Sequence, residues 1–497
     1  MSSLRQLAGQ TMYYGMSSIL GRFINFVLTP IYTYSTIVTQ AKLGQLTELM
    51  SYTSIILILF TLRLEVAYFR YGKIKEQEKT TFDTALSSVW LLSIPLGLLI
   101  VVFAPILAGL IGYENHVIFI RMLGIIMAID GCSEIPFSKL RFDNKAKKFA
   151  SIKVASIIIN VCMNVFFVII CPWLAAKNSM LVNWWFDSGK IIEYIFFCNV
   201  ISSLSALLFL IPVIRTVHFR IDRKLANQMF RYALPLAIVG IFGNFNEMFG
   251  RIILKWFLPG NIHDNEVQLG IYGANYRLTM LITLFTQAFR YAAEPFFFRQ
   301  SEEATSNKIY ADVTKYYAIF SLFGFLFVTL FIDVLKYFIA PKYWDGLPVI
   351  PILLLANVFF GLYYNVSIWY RLRDRTVTGA LIIMGGSVLI VLFNWLLIPK
   401  FGYIGSAWAT LITYITITAV CYVLGKTIFP VPYQTRLILF LIGAAVLLNI
   451  VATQFRHQFN PHVFLSVFIG LILFAVFGLI IWIFEKNTIL RMMRRRT

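Results

Sequence analysis

Runs of about 20 apolar residues, the length that a bilayer core of about 30 Å requires of a helix, recur along the whole chain. They cover roughly residues 7–33, 44–66, 83–110, 117–137, 149–171 and 190–213. After a basic stretch from Arg215 to Lys224 they resume at about 228–250, 268–292, 311–339, 347–369, 377–398, 402–424, 435–452 and 463–484. The pattern predicts an all-α polytopic membrane protein with about 14 transmembrane helices. The first run is expected to be a span and not a cleaved signal, since it is long, carries Arg22 and leads to no small-residue cleavage site.

Within several runs, polar residues keep to one helical face. Ser18, Arg22, Asn25 and Thr29 follow one another at spacings of 4, 3 and 4. Gly240, Asn244, Glu247 and Arg251 do the same, with Pro235 upstream as a place for a bend. Thr279, Thr283, Gln287, Arg290 and Glu294 form a third stripe, with Arg277 nearer the outer end. An ionised side chain at the bilayer centre costs about 2.5–3.5 kcal/mol on insertion scales, so such faces are expected to turn towards a bundle interior or an aqueous cavity.

Composition agrees with this class: 59% of the 497 residues are hydrophobic and 13% charged, about half the charged share of a soluble protein. The net charge of +20 would point to nucleic acid in a soluble domain, but here it follows the loops. Alternate connections and the two ends carry 27 Lys and Arg, whereas the connections between them carry 8. By the positive-inside rule both termini are cytoplasmic, and no nucleic-acid partner is expected. The terminal Arg494, Arg495 and Arg496 fit a topology signal or a contact with anionic lipid. Five cysteines in or beside apolar runs and five histidines in loops or at span ends offer no metal or nucleophile spacing, so no metal, cofactor or enzyme activity is expected. Trp173, Trp184, Trp185 and Trp344 read as interfacial anchors.

The chain also repeats itself. Leu43-Gly44 and Leu269-Gly270 are 226 residues apart, and the exits Glu65…Phe69-Arg70 and Glu294…Phe298-Arg299 are 229 apart. Arg141…Lys145 and Arg371…Arg375, like Asn164 and Asn394, are 230 apart. An offset spanning six helices, an even number, predicts two six-helix lobes of equal orientation related by a pseudo-two-fold axis along the membrane normal, plus two extra helices. The expected division is an N-lobe (1–214), a C-lobe (215–427), and a final pair of spans with a basic cytoplasmic tail (428–497).

If the three polar faces converge, Arg251, Arg277, Arg22, Arg290 and Arg63 form a ladder from the outer side inward. A guanidinium fork suits a diphosphate, because it binds phosphate oxygens in pairs and stays charged. Ser18, Asn25, Asn244, Glu247 and Gln287 would line the same cavity. The alternative is local pairing: Arg63 with Glu65, Arg290 with Glu294 and Arg251 with Glu247. Glu65, Glu294 and Glu247 are candidates for a gate or for ion coupling. Of the other intramembrane carboxylates, Glu48, Asp130, Glu134, Glu193 and Asp333, several lie near span ends, where solvation accounts for them.

The opening sequence, Tyr14-Gly15-Met16-Ser17-Ser18-Ile19-Leu20-Gly21-Arg22, then Leu28-Thr29-Pro30-Ile31-Tyr32-Thr33, Leu43-Gly44 and Leu64-Glu65-Val66-Ala67-Tyr68-Phe69-Arg70, resembles bacterial polysaccharide transporters. These are O-antigen-type lipid-linked oligosaccharide flippases of the multidrug/oligosaccharidyl-lipid/polysaccharide exporter superfamily. The resemblance implies a flippase of the bacterial cytoplasmic (inner) membrane. It would carry a polyprenyl-diphosphate-linked oligosaccharide from the cytoplasmic to the outer leaflet by alternating access, for polysaccharide or lipopolysaccharide biosynthesis. Partners would be the lipid-linked substrate, membrane lipids and envelope polysaccharide assembly proteins. The alternatives are a lipid II flippase, whose Arg-Asp pairs in the first span are missing here, and a drug/cation antiporter, in which acidic cavity residues would dominate.

Overall fold

A computed structural model describes residues 26–73, 77–178, 180–215, 217–300, 306–373, 375–459 and 461–494. Among them all regular structure is helical. The chain forms two compact units, Met1–Gly273 and Ala274–Thr497.

The first unit begins with α1 (26–34), α2 (Gln40–Thr61), α3 (Leu64–Tyr71), α4 (Glu78–Val102), α5 (Ala104–Leu110) and α6 (Val117–Phe142). It continues with α7 (Ala146–Val165), α8 (Cys171–Ala176), α9 (Met180–Asn183), α10 (Ile191–Ile214), α11 (Arg223–Phe257) and the start of α12 (Ile262–Gln300). Helix α6 lies at the centre, packed against α4, α10 and α2. Leu62 and Arg63 both adopt left-handed backbone angles (φ 44° and 56°), which ends α2 and redirects the chain into α3.

The second unit holds the rest of α12, then α13 (Ser306–Leu330), α14 (Ile332–Leu335), α15 (Val349–Val366), α16 (Ile368–Leu372), α17 (Thr376–Ile428), α18 (Thr435–Phe459) and α19 (Val463–Arg494). Helix α13 is its hub, touching α15, α18 and α19. Its buried Lys315 pairs with Glu485 of α19 at 2.8 Å. Helix α17 is two helices in one. Residues eight apart in a straight helix are about 12 Å apart, yet a Cβ on Gly405 would strike the Leu397 carbonyl. The chain therefore turns sharply there, at Gly402 (φ 60°, ψ −142°), three residues after Pro399.

Eleven helices among the described residues are long and apolar enough to cross a membrane. Each expected span from the second onward overlies a helix: α12 the eighth, and the two arms of α17 the eleventh and twelfth. Polar residues keep α12 out of the eleven. The expectation of about 14 fits this arrangement, with most of the first span outside the described residues. This is a multi-pass membrane protein.

The two Leu-Gly motifs meet. A Cβ on Gly44 of α2 would strike the Glu266 carbonyl and lie 3.0 Å from the Gly270 amide nitrogen. A Cβ on Gly270 of α12 would strike the Gln40 carbonyl and lie 3.1 Å from the Gly44 nitrogen. Gln40 and Glu266 stand at the same 226-residue offset as the two glycines. The contact is therefore reciprocal, as a local two-fold axis between equivalent segments requires. One turn on, Gly273 admits Thr47, the residue 226 before it.

Glycine is obligatory here because backbone atoms, which cannot rotate away, occupy the Cβ positions. Gly44→Val or Gly270→Val should cost about 1–3 kcal/mol or more by overpacking and lower the melting temperature of purified protein by several degrees. Gly443→Val, in α18 with nothing within 4 Å, should leave it within about 1 °C. Equal melting of all three would show that the crossing tolerates a side chain.

Candidate functional site

The polar stripe expected at 240–251 exists on α11, and it continues to Lys255, because α11 runs to Phe257 and not to an end near residue 250. Helix α11 packs antiparallel along α2, so the stripe meets α2 and the turn that follows it at three levels. At the first, Gly240 leaves room for the Arg63 guanidinium, whose Nε would lie 3.0 Å from an added Cβ. At the second, Asn244 Nδ2 donates to the Ser54 carbonyl at 2.7 Å. At the third, Lys255 reaches Glu48 Oε2 at 3.3 Å. Glu247 and Arg251 lie between the last two, Arg251 with 9% of its surface exposed.

Around Lys255 the charges are sealed in. Its side chain and that of Glu48 are wholly buried, and it also pairs with Glu266 Oε1 at 3.4 Å. Tyr113 OH donates to Glu48 Oε2 at 2.7 Å, and Gln45 Nε2 donates to Glu266 Oε2 at 2.8 Å. The ammonium group also lies 4.0 Å from the Tyr113 ring centroid and donates to the Ile111 carbonyl. Two carboxylates share one lysine.

At the other end of the stripe, Arg63 pairs with Glu65 Oε1 at 3.5 Å, the local pairing that was its alternative to the ladder. Arg63 keeps 39% of its side chain exposed, Glu65 10%. On α6, Arg141 binds Glu134 at 3.2 Å and Ser138 at 2.8 Å.

Arg277 and Gln287 belong to the second unit. Arg277 lies near Tyr343, whose phenol burial pushes well above its ordinary range while Arg277 acts in the opposite sense. Asn275 Nδ2 fixes the same segment through the Tyr343 carbonyl at 2.8 Å. Ser18, Arg22 and Asn25 lie outside the described residues, as do the side chains of Arg290 and Glu294. Neither Lys255 nor Glu266 stands out in the sequence as a site residue, although Lys255 is four residues beyond Arg251 on the same helical face.

A family described as polysaccharide biosynthesis protein matches residues 7–301. The chain belongs to that family. No curated protein sequence matches it. Its fold is that of solved transporters. A lipid II flippase MurJ in an inward closed conformation matches with a TM-score of 0.65 at 16% identity, over 97% of this chain and 99% of that one. A multidrug resistance MATE family transporter of the MOP superfamily, inward-facing, matches with a TM-score of 0.62 at 13% identity, over 84% and 94%. An outward-facing MATE family transporter gives 0.59 at 15% identity, over 85% and 94%.

The cluster in this member of the polysaccharide biosynthesis protein family makes a ranked prediction. Lys255→Met removes the cation that two buried carboxylates share and should cost about 3–5 kcal/mol. Glu266→Gln leaves one carboxylate with one lysine and should cost distinctly less. Thermal unfolding in detergent reads the order, and an equal or inverted order would mean that Lys255 is not the charge balancing the cluster.

Proposed function

We propose that the protein is a flippase translocating a polyprenyl-diphosphate-linked oligosaccharide from the cytoplasmic to the outer leaflet by alternating access. The single observation that carries this reading is a buried guanidinium on the polar stripe of α11, Arg251 at 9% exposure, in a chain of the polysaccharide biosynthesis protein family. A guanidinium held inside the membrane is costly unless it is paired or meets an anion, and a diphosphate crossing the same region is an anion that its fork of donors fits. In the proposed mechanism Arg251, Arg277, Arg22, Arg290 and Arg63 hand the diphosphate along, the glycan moves through the wet cavity, and the polyprenyl chain stays in lipid. Glu65, Glu294 and Glu247 compete with the phosphate for the arginines and so help to release it. The protein then sits in the bacterial inner membrane with both termini cytoplasmic, and supplies envelope polysaccharide assembly.

A lipid II flippase is the second reading, favoured by the fold shared with MurJ over 97% of the chain. Native mass spectrometry of protein extracted gently from its own host membrane, with fragmentation of the retained lipid, separates the two by the sugar. The expected result is a polyprenyl-diphosphate glycan, reduced at least about 10-fold (about 1.4 kcal/mol) in Arg22→Ala/Arg277→Ala at equal protein level. Arg277→Lys, which keeps the charge but not the fork, should fall between. Ordinary phospholipid alone, with ion-dependent release of small cations from vesicles, would move the protein to the antiporters.

Orientation is tested separately. A fluorescent protein fused to the C-terminus should fluoresce and alkaline phosphatase at the same place should be inactive; the opposite pair of results would invert the topology.

A further inference from the structure

A second cationic site lies apart from the α11 stripe. Where α4 and α11 begin and α10 ends, a cleft of about 800 Å³ opens at the surface of the first unit, a size suited to a small ligand. Its walls carry Lys79, Arg220, Arg223 and Lys224, all exposed, together with His218. Among the described residues none of these five is within ion-pair distance of a carboxylate. The two carboxylates that line the cleft are engaged with backbone. Asp83 Oδ1 accepts from the His218 amide at 3.3 Å, and Asp222 Oδ1 caps α11 by accepting from the amides of Lys224 and Leu225 at 2.9 and 3.0 Å. Four permanent cations against two carboxylates leave the cleft positive.

The strap that forms one wall, residues 217–222, alternates Val217, Phe219 and Ile221 with His218, Arg220 and Asp222. Hydrogen bonds at residues 218 and 222, to Asp83 and to Thr84 Oγ1, tie it to α4. Phe219 covers the Trp90 ring of α4 (centroids 5.2 Å apart) yet remains 63% exposed, and Ile221 is 37% exposed. Lys79 is in the first turn of a helix apolar enough to span the bilayer. Arg220 thus stands between two exposed apolar side chains, with Lys79, Arg223 and Lys224 lining the same cleft at the edge of a membrane span. A soluble anion uses only the cations. A phospholipid uses both, with its phosphate in the cleft and its acyl chains over Phe219 and Ile221.

We infer that the cleft between α4 and the 217–224 strap binds the headgroup of an anionic phospholipid. The test is native mass spectrometry of the full chain in detergent, titrated with phosphatidylglycerol, phosphatidylcholine or inorganic phosphate. Wild type should retain one phosphatidylglycerol at least 10-fold more tightly than phosphatidylcholine, and millimolar inorganic phosphate should not displace it. Arg220→Gln/Arg223→Gln/Lys224→Gln should lose that preference about 10-fold. Arg373→Gln/Arg375→Gln/Lys426→Gln, an equal loss of charge from other exposed positions, should keep it. Phe219→Ser, which leaves every cation in place, should weaken phosphatidylglycerol several-fold. Monodisperse elution and an unchanged lipid-free melting temperature establish that the variants are folded. The inference is overturned if the cleft variant binds phosphatidylglycerol like wild type or if both triple variants lose it alike. It is also overturned if inorganic phosphate competes at equal concentration and Phe219→Ser has no effect, which makes the cleft a soluble-anion site.

Discussion

Backbone contact between α2 and α12 at Gly44 and Gly270 constrains everything around it. Helices normally pack with axes 8–10 Å apart because side chains intervene; here the side chains are absent at the crossing point, and carbonyls occupy their space. Small residues permit such approach in membranes, where no hydrophobic force drives helices together and association rests on close packing. One turn from the crossing on α2 is Glu48, and one turn from it on α12 is Glu266. Bringing the backbones into contact therefore brings two buried carboxylates close together, and Lys255 of α11 is the group that makes this tolerable. Steric fit and charge balance are consequences of one crossing.

The pairing of α11 with α2 then grades from dry to wet. Lys255 and Glu48 expose none of their side chains, whereas Arg63 exposes 39% of its own. A wholly buried pair loses several kcal/mol if either partner leaves, so it acts as a fixed point. At the Arg63 end only the guanidinium is partly exposed, its Glu65 partner keeping 10% of its side chain exposed, so that pair is less sealed than the Lys255 cluster. In the proposed transport an anion would meet a partly exposed guanidinium at the Arg63 end and a locked cluster at the Lys255 end. Arg251 sits one helical turn from the lock on the same helix.

How much of this was legible in the sequence depends on whether a feature is local. Apolar runs located every membrane-length helix from the second span on, because the bilayer demands that length of each segment independently. The hairpin inside α17 was legible too, since Pro399 and Gly402 mark it. The polar stripe was read at Gly240, Asn244, Glu247 and Arg251, but was cut short by placing the span end near residue 250; nothing apolar marks a helix that runs on past the hydrocarbon. Glu48 reads in the sequence as one of several intramembrane carboxylates, because its partners are 65 and 207 positions along the chain, at Tyr113 and Lys255, and only folding joins them. The Leu-Gly pairs were read as a sign of duplication, and the contact between the two copies was beyond reach of the pattern.

That contact also bears on the expected internal repeat, which matches in its glycines and differs in its charges. The glycines persist in both copies because each stands against the other's backbone; replacing either spoils the same crossing, so neither can change alone. The charges have no such mutual dependence. At the 226-residue offset, Glu48 corresponds to Ala274 and Lys255 to Thr29, while Glu266 corresponds to Gln40. A symmetric version would bury two lysines and four carboxylates around one axis, and each added ion would carry its own desolvation cost of several kcal/mol. Keeping the cluster on one side of the axis retains a single locked point at the crossing and leaves the equivalent positions neutral. A sterically two-fold, electrostatically one-sided junction is what two copies of a helix pair become when close packing must be conserved and burial of charge must be limited.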